Sequence, residues 1–198
     1  MTTIDLEKTA QEFDAVSGAL KERIVLCAGT GCVAQGALKI RDAIAAKIKE
    51  AGINAEIVLE KHESAKSEMD PANTVYVSKS GCQGFCQMGP LVRVENADIL
   101  YVKVTEDDAA DIVEGLVSGD AVERLLYRDV NTNEIQKGQD EVKFYSAQNR
   151  IVLRNALIDP EDINEYIAKD GYKAARKVFT EMTSEEVCQN MIDSGLRG

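Results

Sequence analysis

The sequence has no tryptophan, one histidine and only three prolines among its 198 residues. With His62 as the sole imidazole, and no conventional nucleophile motif, acid–base or nucleophilic catalysis has little support. His62 itself lies in a polar stretch that reads as a surface loop, where we expect it to be exposed.

Long apolar runs and a surplus of basic charge are also lacking. No run approaches the length that crosses a membrane, and residues 1–13 form neither the basic start nor the apolar core of a signal peptide. The net charge is −11, which disfavours binding to nucleic acid and to anionic membranes. We therefore expect a cytoplasmic protein without membrane insertion.

Up to residue 127 the apolar pattern alternates between strand and helix periods, after a leading helix over residues 5–20. Ile40, Ile44 and Ile48 mark one face of a helix that we place at 34–51, with Gly52 at its C-terminal cap. Thr105 caps a helix over 106–117. Strands are predicted over residues 23–26, 55–60, 73–77, 91–95 and 99–104. This order predicts an α/β fold with one central sheet covered by helices.

Past residue 127 the character of the sequence changes. Residues 128–143 are polar and aperiodic, as in a linker. Asp159 before Pro160 predicts a helix through about Ala168, a second helix follows over 172–181, and Thr183 with Glu186 forms a capping box for a third. We divide the chain into a leading helix (1–20), an α/β domain (21–127), a linker (128–147) and a helical segment (148–198).

Four of the five cysteines form two pairs with Cys-x4-Cys and Cys-x3-Cys spacing. The pairs are Cys27 with Cys32 and Cys82 with Cys86. Each pair follows a predicted strand and lies in a glycine-rich loop, and parallel neighbouring strands would bring both loops to one edge of the sheet. Four thiolates approached closely by glycine backbone are typical of an iron–sulfur cluster site. Structural disulfides are rare in a reducing cytosol, which also favours a metal or redox role.

Other interpretations of these residues stay open. A structural zinc site takes four cysteines but usually has two-residue gaps, and redox dithiols prefer the absent Cys-x-x-Cys. The run from Gly29 through Gly31 to Ala34 fits a loose Gly-x-Gly-x-x-Ala dinucleotide fingerprint, with Glu60 as its ribose-binding acid. A cluster loop explains both the glycines and the cysteines, whereas a nucleotide loop explains only the glycines. We expect Cys188 to be a small buried residue within a helix.

The two cysteine loops resemble the halves of a thioredoxin-like [2Fe–2S] ferredoxin over roughly residues 20–127. The motifs are Cys27-Ala-Gly-Thr-Gly-Cys32 and Ser80-Gly-Cys-Gln-Gly-Phe-Cys-Gln-Met-Gly-Pro-Leu-Val92. The resemblance implies that the four cysteines Cys27, Cys32, Cys82 and Cys86 ligate a [2Fe–2S] cluster.

The later part resembles the opening of the NADH-binding flavoprotein subunit of complex I, and of the beta subunit of NAD-linked, electron-bifurcating [FeFe] hydrogenases. The motifs are Gln148-Asn-Arg-Ile-Val-Leu-Arg-Asn155, Ile158-Asp-Pro-Glu161, Tyr166-Ile-Ala168, Gly171-Tyr172 and Ser194-Gly-Leu-Arg-Gly198. In that family the last motif leads into the glycine-rich FMN loop. We therefore expect this chain to be the N-terminal part of a longer protein, with FMN, NAD(H) and [4Fe–4S] sites in the remainder.

Together the resemblances imply a non-catalytic electron carrier within a soluble NAD(H)-dependent hydrogenase or related NADH:acceptor oxidoreductase. Its expected partners are the alpha and gamma subunits of a hydrogenase or complex I-like assembly, and a ferredoxin is a further candidate. The alternative from a different class is a zinc-stabilised domain that docks subunits and carries no electrons.

Overall fold

A five-stranded mixed sheet forms the centre of the fold. The computed structural model describes residues 4–57 and 70–197. The strands of the sheet are β1 (Glu22–Cys27), β2 (Asn54–Glu56), β3 (Thr74–Ser80), β4 (Val92–Val94) and β5 (Ile99–Tyr101). Their order is β2-β3-β1-β4-β5. The three strands β1, β2 and β3 run parallel, and β4 and β5 complete the sheet as an antiparallel hairpin.

Helices cover the sheet and continue after it. They are α1 (Leu6–Ala19), α2 (Thr30–Ala34), α3 (Ala37–Glu50), α4 (Ala109–Ser118), α5 (Lys143–Ser146), α6 (Ile163–Ala168), α7 (Lys173–Glu181) and α8 (Ser184–Asp193). A second, two-stranded sheet pairs β6 (Tyr127–Arg128) with β7 (Ile135–Gln136). The α/β arrangement predicted from the sequence is confirmed.

The main hydrophobic core lies between one face of the sheet and the helices α3 and α4. Ile40, Ile44 and Ile48 of α3 are almost fully buried there, as their spacing of four predicted. The helix expected to start at residue 34 starts instead at Ala37, and a separate short helix, α2, precedes it. The two are divided because Gly36 adopts a left-handed conformation with φ of 93°. That break separates the short helix carrying Cys32 from α3.

Strands β3 and β5 each end three residues away from the predicted end. Strand β3 continues to Ser80 and so reaches the second cysteine loop. Strand β5 stops at Tyr101 rather than 104, because the next residues bond elsewhere: the Lys103 and Val104 N–H groups donate to the carbonyls of Met88 and Pro90. The chain after β5 therefore supports the segment that follows Cys86. The predicted strand at 55–60 lies partly outside the described residues.

Caps define the helices on both sides of residue 127. Thr105 and Asp108 form a capping box before α4, as expected from the threonine. The helix predicted to open at Pro160 begins only at Ile163, which corrects that prediction: Asp159 accepts from the Glu161 N–H in a turn, and Asp162 is the residue that caps α6. Helix α7 and the capping box of α8 confirm their predictions.

The segment expected to be a linker carries ordered structure. It includes the β6–β7 pair and the short helix α5, and it buries Val142 and Tyr145 in a second hydrophobic cluster together with Cys27 and Cys32. The proposed division of the chain into domains remains a prediction. Across the described ranges, no helix is both long and apolar enough to cross a membrane.

Candidate metal centre

The first cysteine pair is placed by the end of β1. Cys27 is the last residue of that strand, and in the parallel register it lies opposite Ser80, the last residue of β3. The Ala28 N–H donates to the Ser80 carbonyl at 3.1 Å, and the Cys27 N–H donates to the Leu91 carbonyl at 3.1 Å. The two cysteine loops and the strand that follows them thus meet at one edge of the sheet, as the sequence predicted.

The four thiols lie as two neighbouring pairs. Cys82 Sγ and Cys86 Sγ are 4.0 Å apart. The pKa of the Cys32 thiol is raised to about 12, mainly by burial and also by a hydrogen bond and a charge interaction with Cys27. The Gln83 N–H, from the second loop, donates to Cys27 Sγ at 3.5 Å and so links the two pairs.

The thiols also affect one another's ionisation. The pKa of Cys86 is raised by its hydrogen bond with Cys82, then by the charge of Cys82, and more weakly by burial and by Cys27. Negative charges crowded in this way repel one another, which makes several bare thiolates unfavourable together. A bound metal cation reverses the effect, because it holds coordinating thiols in the deprotonated form.

One side of the site faces solvent and the other faces the core. Cys27 and Cys32 are buried, whereas Cys82 and Cys86 are exposed. A cavity of about 520 Å³ opens beside Gly81 and Cys82, and its far wall includes Leu153, Pro160 and Tyr166 from the later part of the chain. A group held by the four thiols would therefore lie near the surface.

Two glycines allow the close approach of the loops. A Cβ atom on Gly29 would lie 2.9 Å from Cys82 Cβ, and one on Gly89 would lie 2.7 Å from Cys32 Sγ. Both separations are closer than side chains tolerate, so neither position accepts alanine without movement of a cysteine. Gly31 has open space around its Cβ position. The Gly29 contact gives this glycine a role in cysteine packing.

Three residues outside the cysteine motifs complete the site, and sequence reasoning missed them: Phe144, Tyr145 and Arg150. Phe85, between Cys82 and Cys86, stacks on Phe144 with ring centroids 4.5 Å apart and meets the ring of Tyr145 edge-on at 5.6 Å. The Arg150 Nη2 group donates to the Gln83 carbonyl at 3.1 Å. The adjacent Phe144 and Tyr145 in an otherwise polar stretch were the available signal that this stretch packs.

The donor set fits a [2Fe–2S] cluster. Such a cluster has two irons and takes four cysteine thiolates. Within residues 4–57 and 70–197, no three Cys, His, Asp or Glu side chains are grouped closely enough to hold one metal ion. The structure supplies four cysteine thiols in two pairs, with a backbone N–H aimed at one sulfur, which is the donor set that such a cluster takes.

The other sequence-predicted residues lie apart from this site or outside the described ranges. Cys188 is exposed on α8, so its expected burial was wrong. The cause is that α8 contains no buried residue and so presents no packed face to receive it. His62 and Glu60 lie outside the described residues.

Comparisons with known proteins agree with the cysteine motifs. The chain is 40% identical over 57 residues to "Ferredoxin, 2Fe-2S" from Clostridium pasteurianum, a match that covers 28% of this chain and 56% of that protein. The chain resembles a 2Fe–2S ferredoxin. It is also 52% identical over 52 residues to "NADP-reducing hydrogenase subunit HndC" from Solidesulfovibrio fructosivorans, covering 26% of this chain and 10% of that subunit. The resemblance inferred from the motifs is thus confirmed, and no family model matches the chain.

Part of the chain also resembles solved structures of another protein. Two structures of a thioredoxin-like [2Fe–2S] ferredoxin from Aquifex aeolicus match 52% and 58% of this chain and 93% and 97% of their own. The identities are 26% and 22%, and the TM-scores are 0.39 and 0.40. The order and directions of the strands in this chain, and not these superpositions, establish its α/β class. The chain spans about half of the curated ferredoxin and a tenth of the hydrogenase subunit.

Proposed function

We propose that this chain is an electron-transfer module in which Cys27, Cys32, Cys82 and Cys86 ligate a [2Fe–2S] cluster. The observation that carries the proposal is the convergence of two thiol pairs at one sheet edge, linked by the Gln83 N–H and open to solvent on one side. The similarity to a curated 2Fe–2S ferredoxin supports the same cofactor.

Each part of the site has a role in this function. A bound [2Fe–2S] cluster accepts and releases one electron at a time. The chain supplies the four sulfur ligands, a backbone N–H that donates to one of them, and the glycines Gly29 and Gly89 that let the loops close on each other. The exposed pair, Cys82 and Cys86, forms the side from which an electron-transfer partner can approach.

The setting we infer is a multi-subunit, NAD(P)-linked hydrogenase or related NADH:acceptor oxidoreductase of the electron-bifurcating type. The similarity to a subunit of an NADP-reducing hydrogenase supports this setting. In such an assembly the chain carries electrons and performs no catalysis itself. FMN, NAD(H) and [4Fe–4S] clusters belong to other parts of the enzyme, and the partners are its alpha and gamma subunits or a ferredoxin.

Single cysteine-to-serine substitutions test the ligand assignment. Serine at position 27, 32, 82 or 86 removes one thiolate, so iron and acid-labile sulfide in the purified protein should fall by at least about half. The matched control is Cys188→Ser, which removes an exposed thiol on α8 and should leave both unchanged.

Two results would overturn the proposal. In one, the four variants retain as much iron and sulfide as the control. In the other, the unsubstituted protein carries zinc without sulfide, in which case the site serves the alternative function of a structural docking domain.

A further inference from the structure

The hydroxyl of Tyr145 is an unpartnered polar group inside the protein. The side chain is 6% exposed, and among the described residues no hydrogen-bond partner lies within reach of its oxygen. Leaving a buried hydroxyl without a hydrogen bond is energetically unfavourable, so native structures rarely keep one without a reason. The position of Tyr145 suggests which group its hydroxyl bonds.

Tyr145 lies against the cysteine site. It belongs to the same buried cluster as Cys27, Cys32 and Phe85. Its pKa is raised, first by burial and in smaller part by the charges of Cys27, Cys32 and Cys82. A tyrosine hydroxyl carries one O–H group, so it can act as a donor toward a negatively charged group.

Neighbouring side chains hold the ring in place. Phe85 and Phe144 meet the ring of Tyr145 edge-on, at centroid distances of 5.6 and 5.0 Å. The Arg150 guanidinium lies over the ring, 5.1 Å from its centroid, while its Nη2 donates to the Gln83 carbonyl. These contacts fix the ring to the loop that carries Cys82 and Cys86.

The geometry points to Tyr145 as a hydrogen-bond donor to the inorganic sulfur of the bound [2Fe–2S] cluster, since none of the cysteine sulfurs is its partner. The inference rests on the proposed function, since it needs the cluster as acceptor. Hydrogen bonds to the sulfurs set the reduction potential of such clusters. Reduction adds negative charge, so a donor stabilises the reduced form and raises the potential. Tyr145 would thus adjust the reduction potential of the cluster, and it comes from the segment that follows the α/β domain.

The test is a redox titration of the purified full chain carrying Tyr145→Phe, followed by EPR or visible absorption. This change removes only the hydroxyl. We expect iron and sulfide to stay at the wild-type level and the equilibrium constant for one-electron reduction to fall about tenfold, equivalent to about 59 mV toward negative potential. The matched control is Tyr127→Phe. It removes a hydroxyl from another ring of the same hydrophobic cluster of side chains, and the centroid of that ring lies 5.4 Å from the centroid of Phe85.

The outcomes separate this inference from the proposed function. If Tyr145→Phe and Tyr127→Phe both keep the wild-type potential, or shift it equally, Tyr145 does not donate to the cluster and the inference is wrong. If the wild-type chain itself holds no iron and sulfide, the proposed function fails first. A shift confined to Tyr145→Phe, with unchanged iron, supports both.

Discussion

Arg23 and Glu165 form a buried, bidentate ion pair that joins the first strand to the C-terminal helices. Arg23 Nη1 and Nη2 donate to the two carboxylate oxygens of Glu165 at 2.6 and 3.0 Å, across 142 residues of sequence. Burial lowers the pKa of Arg23, but the hydrogen bonds and charge of Glu165 outweigh it, so the pKa of the guanidinium is raised. The Asp159 N–H also donates to Glu165 Oε2, which therefore accepts a second hydrogen bond besides the one from Arg23.

Loss of this pair should destabilise the whole chain. Glu165→Gln removes the carboxylate that the Arg23 Nη1 and Nη2 groups bond and leaves Glu95, 3.7 Å from Arg23 Nε, as the remaining ion-pair partner among the described residues. We expect the free energy of unfolding to fall by up to about 3–5 kcal/mol. Urea unfolding measures the change. Glu161→Gln is the matched control, because Glu161 is exposed and a surface pair such as the one it forms with Lys79 contributes little to stability. An equal decrease in the free energy of unfolding in the two variants would show that the Arg23–Glu165 pair stabilises the fold no more than a surface pair does.

Substitutions at two glycines should disturb the metal centre while a third is tolerated. Alanine at Gly89 or Gly29 places a Cβ within 3 Å of Cys32 Sγ or Cys82 Cβ. We expect less than about half of the wild-type iron content, since the thiolates must all reach one cluster. Gly31→Ala, in open space, should keep full iron.

The same three variants address the dinucleotide interpretation. If the loop were a dinucleotide-binding fingerprint, Gly31→Ala would impair nucleotide binding as much as Gly29→Ala does, because both glycines belong to the motif. Full iron content in Gly89→Ala would contradict the close packing of Cys32 described above.

An exposed ion pair between α1 and α7 should give the stability a distinct acid dependence. Hydrogen bonds from Arg176 lower the pKa of Glu7 from 4.5 to about 2. A carboxylate with a lowered folded-state pKa stabilises the fold above its ordinary pKa, and the contribution is lost as the pH falls toward 2. The melting temperature of Glu7→Gln should therefore lie below that of the wild type at pH 6 and match it near pH 2.

The control for this measurement is Glu114→Gln, an exposed carboxylate on α4. Added salt should narrow the difference between wild type and Glu7→Gln at pH 6, because exposed charges are screened. A difference that persists at pH 2 would mean that Glu7 acts through packing and not through its charge.

The sequence predicted those parts of the site that depend on local pattern. Cys27 and Cys82 follow apolar strands, and the period of four in Ile40, Ile44 and Ile48 marks a core helix whatever the rest of the chain does. Contacts between distant segments have no such local signal. Arg150 meets Gln83 across 67 residues, and Glu165 meets Arg23 across 142. The start of α6 at Ile163 was missed because Asp159 and Asp162 are both acceptable caps, and only the fold selects between them.

The most direct test of the central proposal is an anaerobic count of iron and acid-labile sulfide in the purified chain, with EPR before and after reduction by dithionite. We predict two irons and two sulfides per chain. The protein should be EPR-silent as isolated and should give the signal of one unpaired electron once reduced. One zinc per chain, with neither sulfide nor a signal after reduction, would contradict the assignment of an electron carrier.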